Sequence, residues 1–358
     1  MRRSIARASL FSLVLGCGVL VTHPALAEEP TDVIVMKNGD RITGKVKGLD
    51  NGVLKLDLDY VDGAILIDWR KVVRLESKAL FIVRLKDGSL HSGKIVGSKS
   101  GGTATAQIAI SEEQRPPLVV DDSDVVRILP TSESVLNRFS GSITIGTQYS
   151  KGNSTTQYSI GTEVGYRETK WGGNVSYGGN LSSSTGAQIS TRNEVDLIAY
   201  RLLRWQKYFY AGSAGFLQSS VQGIPRQTNV GLSLGRFLKD TNRVQFAVMA
   251  GLGWQGTHYV PAAQTEQSQN LAVGLVGANL NAFLFKRTRL TLNATLAPAL
   301  TEAGREFAKV NASYYLKLFG KIDWNFSFYG NWDTKPPAHL QSSDYGTTIG
   351  LSYTFGNR

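Results

Sequence analysis

Nucleophilic or acid–base chemistry needs a reactive side chain with a partner held beside it, so histidines, serines and carboxylates come first. Three histidines lie beyond the N-terminal thirty residues: His91, His258 and His339. A hydrolase needs serine, histidine and an orienting group within hydrogen-bond reach. No G-x-S-x-G or comparable context surrounds a serine, and no fixed partner for these histidines is visible. Asp121-Asp122-x-Asp124 has carboxylates at calcium-like spacing but lacks the glycine and the distal glutamate of a binding loop. The single cysteine, Cys17, falls in the leader described below, so disulfide and thiolate sites are excluded. The expectation is a protein that is not an enzyme and holds no cofactor or metal.

The remaining charges fall into two sets. Arg167, Lys170, Arg201, Arg204, Lys207, Lys239, Arg243, Lys286, Arg287, Arg289 and Lys321 cluster in or beside short connections. Glu163, Glu194, Asp196, Lys309 and Asp323 lie within alternating stretches, on the polar face. The first set predicts a basic rim that attracts anionic headgroups, docks an acidic domain or biases a pore toward anions. The second predicts a paired polar interior.

What positions them is a run of strands from Arg138 onward. The last, Asp344–Phe355, sets Tyr345, Thr347, Ile349, Leu351, Tyr353 and Phe355 against Gly346, Thr348, Gly350, Ser352 and Thr354. Successive strand side chains point to opposite faces, so one face is apolar and aromatic and the other small and polar. Twelve such stretches are predicted: 138–149, 155–167, 171–181, 190–201, 207–218, 227–237, 243–254, 268–284, 288–298, 305–318, 321–332 and 344–356. In the eighth, Leu271, Val273 and Leu275 are out of phase with Leu280 and Leu284, which predicts a bulge near Gly277. Long polar connections, among them Ser219–Arg226 and Gln255–Gln267, alternate with short basic ones. An even strand count with sorted loop lengths is the pattern of a transmembrane β-barrel, apolar face to lipid and small polar face to the lumen.

Upstream, Arg2, Arg3 and Arg7 precede the apolar Ala8–Thr22 and the Ala25-Leu26-Ala27 cleavage pattern, which predicts a signal peptide over 1–27. Residues 28–137 carry a net charge of −2 and residues 138–358 a net of +10. That shift predicts a boundary at a linker over 131–137. Within 28–130, units 32–77 and 80–130 repeat: Lys37-Asn-Gly39 and Lys86-Asp-Gly88 mark tight turns, each followed five residues later by Gly44 or Gly93. The units resemble Sm-like and SH3-like barrels, which predicts two small barrels in tandem. Trp69 and His91 are candidates for a binding face. A net negative domain lacks the footprint of nucleic-acid binding.

The stretch from Arg138–Tyr149, through Gly-Asn-Ser-Thr-Thr at 152–156, to the closing Gly-Leu-Ser-Tyr-Thr-Phe resembles the family of salt-induced outer-membrane proteins. That resemblance, over roughly residues 138–356, implies an all-β outer-membrane barrel, an association with salt or osmotic stress, and no catalytic residue; the short turns on the side from which the chain enters the first strand place residues 28–137 in the periplasm. The partners expected are outer-membrane lipids, the barrel-assembly machinery and a periplasmic protein or peptidoglycan. Two functions follow: a narrow channel for small solutes or ions, or a tether whose repeat domain binds a cell-wall or protein partner.

Overall fold

The computed structural model describes residues 32–356 except 62, 98–106, 113–115, 132–137, 151–154, 169, 184–188, 204–206, 261–266 and 285–287. The leader, most of the expected linker and the basic residues Arg204, Lys286 and Arg287 lie outside the described residues.

The first repeat forms β1 (Asp32–Met36), β2 (Arg41–Asp50), β3 (Val53–Asp57), β4 (Ile65–Asp68) and β5 (Val72–Glu76). The second forms β6 (Leu80–Leu85), β7 (Leu90–Gly97), β8 (Gln107–Ser111), β9 (Leu118–Asp121) and β10 (Val125–Pro130). Each unit pairs its strands in the order fifth, first, second, third, fourth, and a 3-10 turn precedes each fifth strand. Gly39 and Gly88 take φ of 91° and 90° at the equivalent first turns, a conformation a side chain disfavours. The two units do not have separate cores. Strand β10 pairs with β2 through Ile128 and Leu49, and one apolar cluster takes Ile34, Leu56 and Leu75 from the first unit and Phe81, Ile110 and Ile128 from the second. Trp69 is buried in that cluster, and its indole Nε1–H donates to the Asp122 carbonyl at 2.8 Å, tying one 3-10 turn to the other. It is therefore a core residue and not part of an open face. His91 pairs Nδ1 with Glu112 at 2.8 Å and Nε2 with Ser89 at 3.1 Å.

The following twelve strands are β11 (Phe139–Ser150), β12 (Thr155–Arg167), β13 (Trp171–Ser183), β14 (Ser190–Leu202), β15 (Tyr208–Ser219), β16 (Ile224–Asp240), β17 (Val244–Tyr259), β18 (Gln267–Leu284), β19 (Thr288–Pro298), β20 (Glu306–Phe319), β21 (Ile322–Asp333) and β22 (Ser343–Gly356). Every neighbour is antiparallel, and β22 closes on β11 from Ser140↔Gly356 to Gly146↔Gly350, making a closed barrel. Closure removes the unpaired edge that an open sheet presents. Ile143, Ile160, Val175, Leu232, Leu252, Val276, Leu290, Leu351 and Tyr353 are exposed on the outward face, the apolar surface a bilayer requires.

Two expectations need correction. Strands β16 and β17 run further than predicted, so the connection between β15 and β16 shrinks to Ser220–Gly223 and that after β17 starts at Val260. Strand β18 has no bulge at Gly277: its register with β17 runs unbroken from Gln267 to Ala282. Leu271, Val273 and Leu275 instead face inward, where they pack with Ala297 and Phe307 inside the barrel. The phase break is an apolar patch on the lumen wall.

Candidate functional site

The bore holds a cavity of about 610 Å³, bounded at one end by Asp50, Asn51, Arg127 and Leu129 of the N-terminal domain. That domain reaches the mouth with a hairpin tip. Asn51 and Gly52, between β2 and β3, take φ of 53° and 74°, as the two central residues of a type I′ turn require. A Cβ on Gly52 would lie 2.8 Å from the Asn242 carbonyl in the β16–β17 turn, so only glycine permits this approach. Behind the tip, Asp50 sits between Arg167 of β12 at 3.2 Å and Arg127 of β10 at 3.7 Å. Arg84 of β6 reaches Asp240 of β16 at 2.6 Å and lies over the Phe237 ring. Burial pushes the Asp50 carboxyl up, but Arg127, Arg167 and Lys55 outweigh it and hold it below its ordinary value. Burial lowers Arg127 to about 10, with Asp50 opposing the shift.

The predicted rim lies at this same mouth and splits into inward and outward members. Arg167 turns inward, bonding Asp50 and Gln245, and Arg289 stacks over Tyr315 at 4.0 Å within the bore. Arg201 lies over Trp171, Arg236 over Tyr208 and Lys321 over Tyr353, at 5.0, 5.1 and 6.0 Å. Each of these outward cations lies against an aromatic ring, a cation–π arrangement. The Lys207 charge acts on Asp87 of the N-terminal domain. Lys170, Lys239 and Arg243 are exposed.

Farther up the bore, three of the five predicted lumen charges meet. Lys309 Nζ on β20 donates to both carboxylate oxygens of Asp196 at 2.6 Å and also bonds Glu194, both on β14. Those strands are six apart in a circuit of twelve, so the bridge crosses the lumen. A round barrel of this size would be about 24 Å across, beyond the reach of a lysine and an aspartate together. The barrel is therefore flattened at this level. Arg192 extends the layer, bonding Glu194 at 2.6 Å and Asp344 of β22 at 2.8 Å, and Ser219 donates to Asp344 at 2.7 Å. Glu163 lies elsewhere, accepting from Asn174 at 2.6 Å. Asp323 sits near Arg289 and Lys317 at the inner end.

Sequence reasoning missed Arg192 and Asp344, although Arg192 has the same strand parity as Glu194 and Asp196. It also missed the Asn51-Gly52 tip, whose dipeptide is itself a hairpin signal. At the far end Ser268 Oγ lies 2.5 Å from His258 Nδ1, a partner the sequence did not reveal. Among the described residues no group of three or more histidine, cysteine, aspartate or glutamate side chains is arranged to hold a metal.

Residues 143–355 match a family model described as "Protein of unknown function, DUF481". No curated protein matches the chain. Among solved structures, the NanC porin is similar at 10% identity over 60% of this chain and 100% of that one, with a TM-score of 0.37. The translocator domain of the autotransporter NalP from Neisseria meningitidis is similar at 13% identity over 61% and 87%, with a TM-score of 0.30. CdiB from Acinetobacter baumannii is similar at 9% identity over 64% and 61%, with a TM-score of 0.33. Scores this low transfer no site and no activity.

Proposed function

The chain belongs to the DUF481 family, whose description assigns no activity, and from the geometry we propose that it is an outer-membrane channel of narrow bore, capped at its periplasmic mouth by its own N-terminal domain. The observation that carries this reading is the cavity inside the closed barrel, floored by the Asp50–Asn51 tip and crossed by the Lys309 layer. A barrel serving only as an anchor has no need of a polar cavity with a seated cap. The basic outward rim then holds the inner leaflet, and assembly machinery and lipid are the partners of the barrel. No catalytic step is assigned.

The test is single-channel recording of the full chain in planar bilayers, beside a cap-release variant, Asp50→Ala with Arg84→Ala. The wild type should open rarely. The variant should raise open probability about fivefold or more, since losing roughly 1 kcal/mol of seating shifts a two-state balance by that factor. Heat-modifiable migration checks that the variant is folded. Silence from both folded proteins would sink the channel and favour the tether. The surface for a partner would then be the free edges of the N-terminal sheet, where Leu66 on β4 and Val119 on β9 are exposed.

The same recording has a pH signature. A carboxylate with a lowered folded value stabilises the seated cap above its ordinary value of 3.8 and loses that contribution as pH falls through the lower, folded one. Open probability should therefore stay flat from neutral pH down to about 4 and rise below it. A rise already at pH 5–6 would point to a histidine and remove Asp50 from the role. Association with salt or osmotic stress is part of the proposal. The Arg167–Asp50 pair is partly exposed, so added salt screens it, and opening should increase with ionic strength; the more deeply buried Arg84–Asp240 pair is screened less.

A further inference from the structure

Between the charged layer and the capped mouth, the wall formed by β18–β21 carries no charge over two register rows, and Arg289 enters at the row below them. One register row runs across β18, β19, β20 and β21 through Asn279, Asn293, Asn311 and Tyr329. The next row toward the mouth runs through Asn281, Thr291, Ser313 and Ser327. All eight line the cavity, and their side chains link locally: Asn281 donates to Asn279 at 2.8 Å, and Ser313 and Ser327 are 2.9 Å apart. Beside this grid, the same upper row continues into Ala247 and Phe237. There Tyr200, Phe209 and Phe237 pack ring against ring, with centroids 5.1 to 6.3 Å apart, on the cavity wall.

We propose that this part of the bore is a binding site for a neutral polyhydroxylated solute of monosaccharide size. Amides and hydroxyls both donate and accept, as sugar hydroxyls do. An ion gains little from such a wall, because the charges on either side are already engaged: the layer above is paired within itself, and Arg289 below lies over the Tyr315 ring with Asp323 near it. A purely apolar ligand would strand the amides without partners, which is costly. The aromatic patch beside the grid suits the C–H face of a sugar ring. An independent observation points the same way: Asn325 is 1% exposed and lines the cavity, its oxygen accepts from Ser327 at 2.8 Å, and its Nδ2 has no partner. A buried donor without an acceptor on the cavity wall, one row below the grid and level with Arg289, marks the position of a bound hydroxyl.

The transport role of this site rests on the channel reading, but binding does not, so the two are measured separately. Ligand-observed saturation-transfer NMR on the full chain, in a detergent without a sugar headgroup, should show transfer to the C–H protons of methyl glucoside. Gluconate and glucosamine, of the same size but charged, should bind at least tenfold more weakly. Asn311→Leu and Asn325→Leu, which keep the branched shape and remove the amide, should each weaken methyl glucoside at least fivefold while leaving heat-modifiable folding unchanged. In liposome swelling, the neutral sugar should enter faster than either charged analogue. Binding without swelling or conductance sinks the channel and leaves the site. Conductance with no saturation transfer, or equal transfer for all three solutes, overturns the site and leaves the channel. If either variant fails to fold, Asn293→Asp, which keeps the shape and adds a charge to the wall, supplies the same comparison.

Discussion

Arg305→Met should lower the stability of the folded protein by about 3–5 kcal/mol, the cost of breaking a buried ion pair on one side. Arg305 is 1% exposed at the end of the barrel away from the cap. Each of its five N–H bonds has an acceptor: Asp333 at 3.0 and 2.7 Å, Gln269 at 2.6 Å, Glu302 at 2.9 Å and the Tyr259 hydroxyl at 3.0 Å. This one side chain ties together the outer ends of β17, β18 and β21. Methionine keeps the apolar stem but leaves the buried Asp333 carboxylate with only the Tyr259 hydroxyl and the Lys335 N–H beside it. Arg305→Lys should recover less than half of the loss, because an ammonium cannot reproduce the planar fork. The measurement is the urea midpoint in micelles, expected to fall by roughly 1 M or more. A change below about 0.5 kcal/mol, the range of ordinary surface substitutions, would show that the cluster contributes packing without specificity.

That cluster illustrates what the sequence conceals. Arg305 and Glu302 sit between strands, and Asp333, Gln269 and Tyr259 at strand ends, where no period applies. Within strands the period of two is informative: it places Glu194, Asp196 and Lys309 on the lumen face and Ile349, Leu351 and Tyr353 on the lipid face, and the twelve strands appear close to the expected limits. Period reports phase, however, and not which face is which. Leu271, Val273 and Leu275 look like lipid residues and face the bore. Pairing across the lumen is less legible still. Lys309 meets β14 because the barrel is flattened there, a property of the whole circuit and of no local segment. The mouth contacts, Asp50 with Arg167 and Arg84 with Asp240, join residues more than a hundred positions apart. Only the overall charge difference between the two halves hints at them.

If the barrel conducts as proposed, Lys309→Met should make it cation-selective. The layer that crosses the bore contains two cations, Arg192 and Lys309, and three carboxylates, Glu194, Asp196 and Asp344. Removing Lys309 leaves Asp196 without its lysine and Glu194 with Arg192 alone, and takes away the side chain that bridges the lumen. A passing ion about 4 Å from an uncompensated carboxylate feels about 1 kcal/mol in water-like surroundings and about 4 kcal/mol where the protein screens less. The corresponding cation-over-anion bias is about fivefold at the low end and about a thousandfold at the high end. Reversal potentials under a salt gradient measure it, in the cap-release background where openings are frequent. Asp196→Asn added to Lys309→Met should return selectivity toward the starting value while the bore stays wider, which separates the charge effect from the steric one. Unchanged selectivity in Lys309→Met, with conductance intact, would mean that ions do not pass this layer, and the route through the barrel would have to avoid the bridge between β14 and β20.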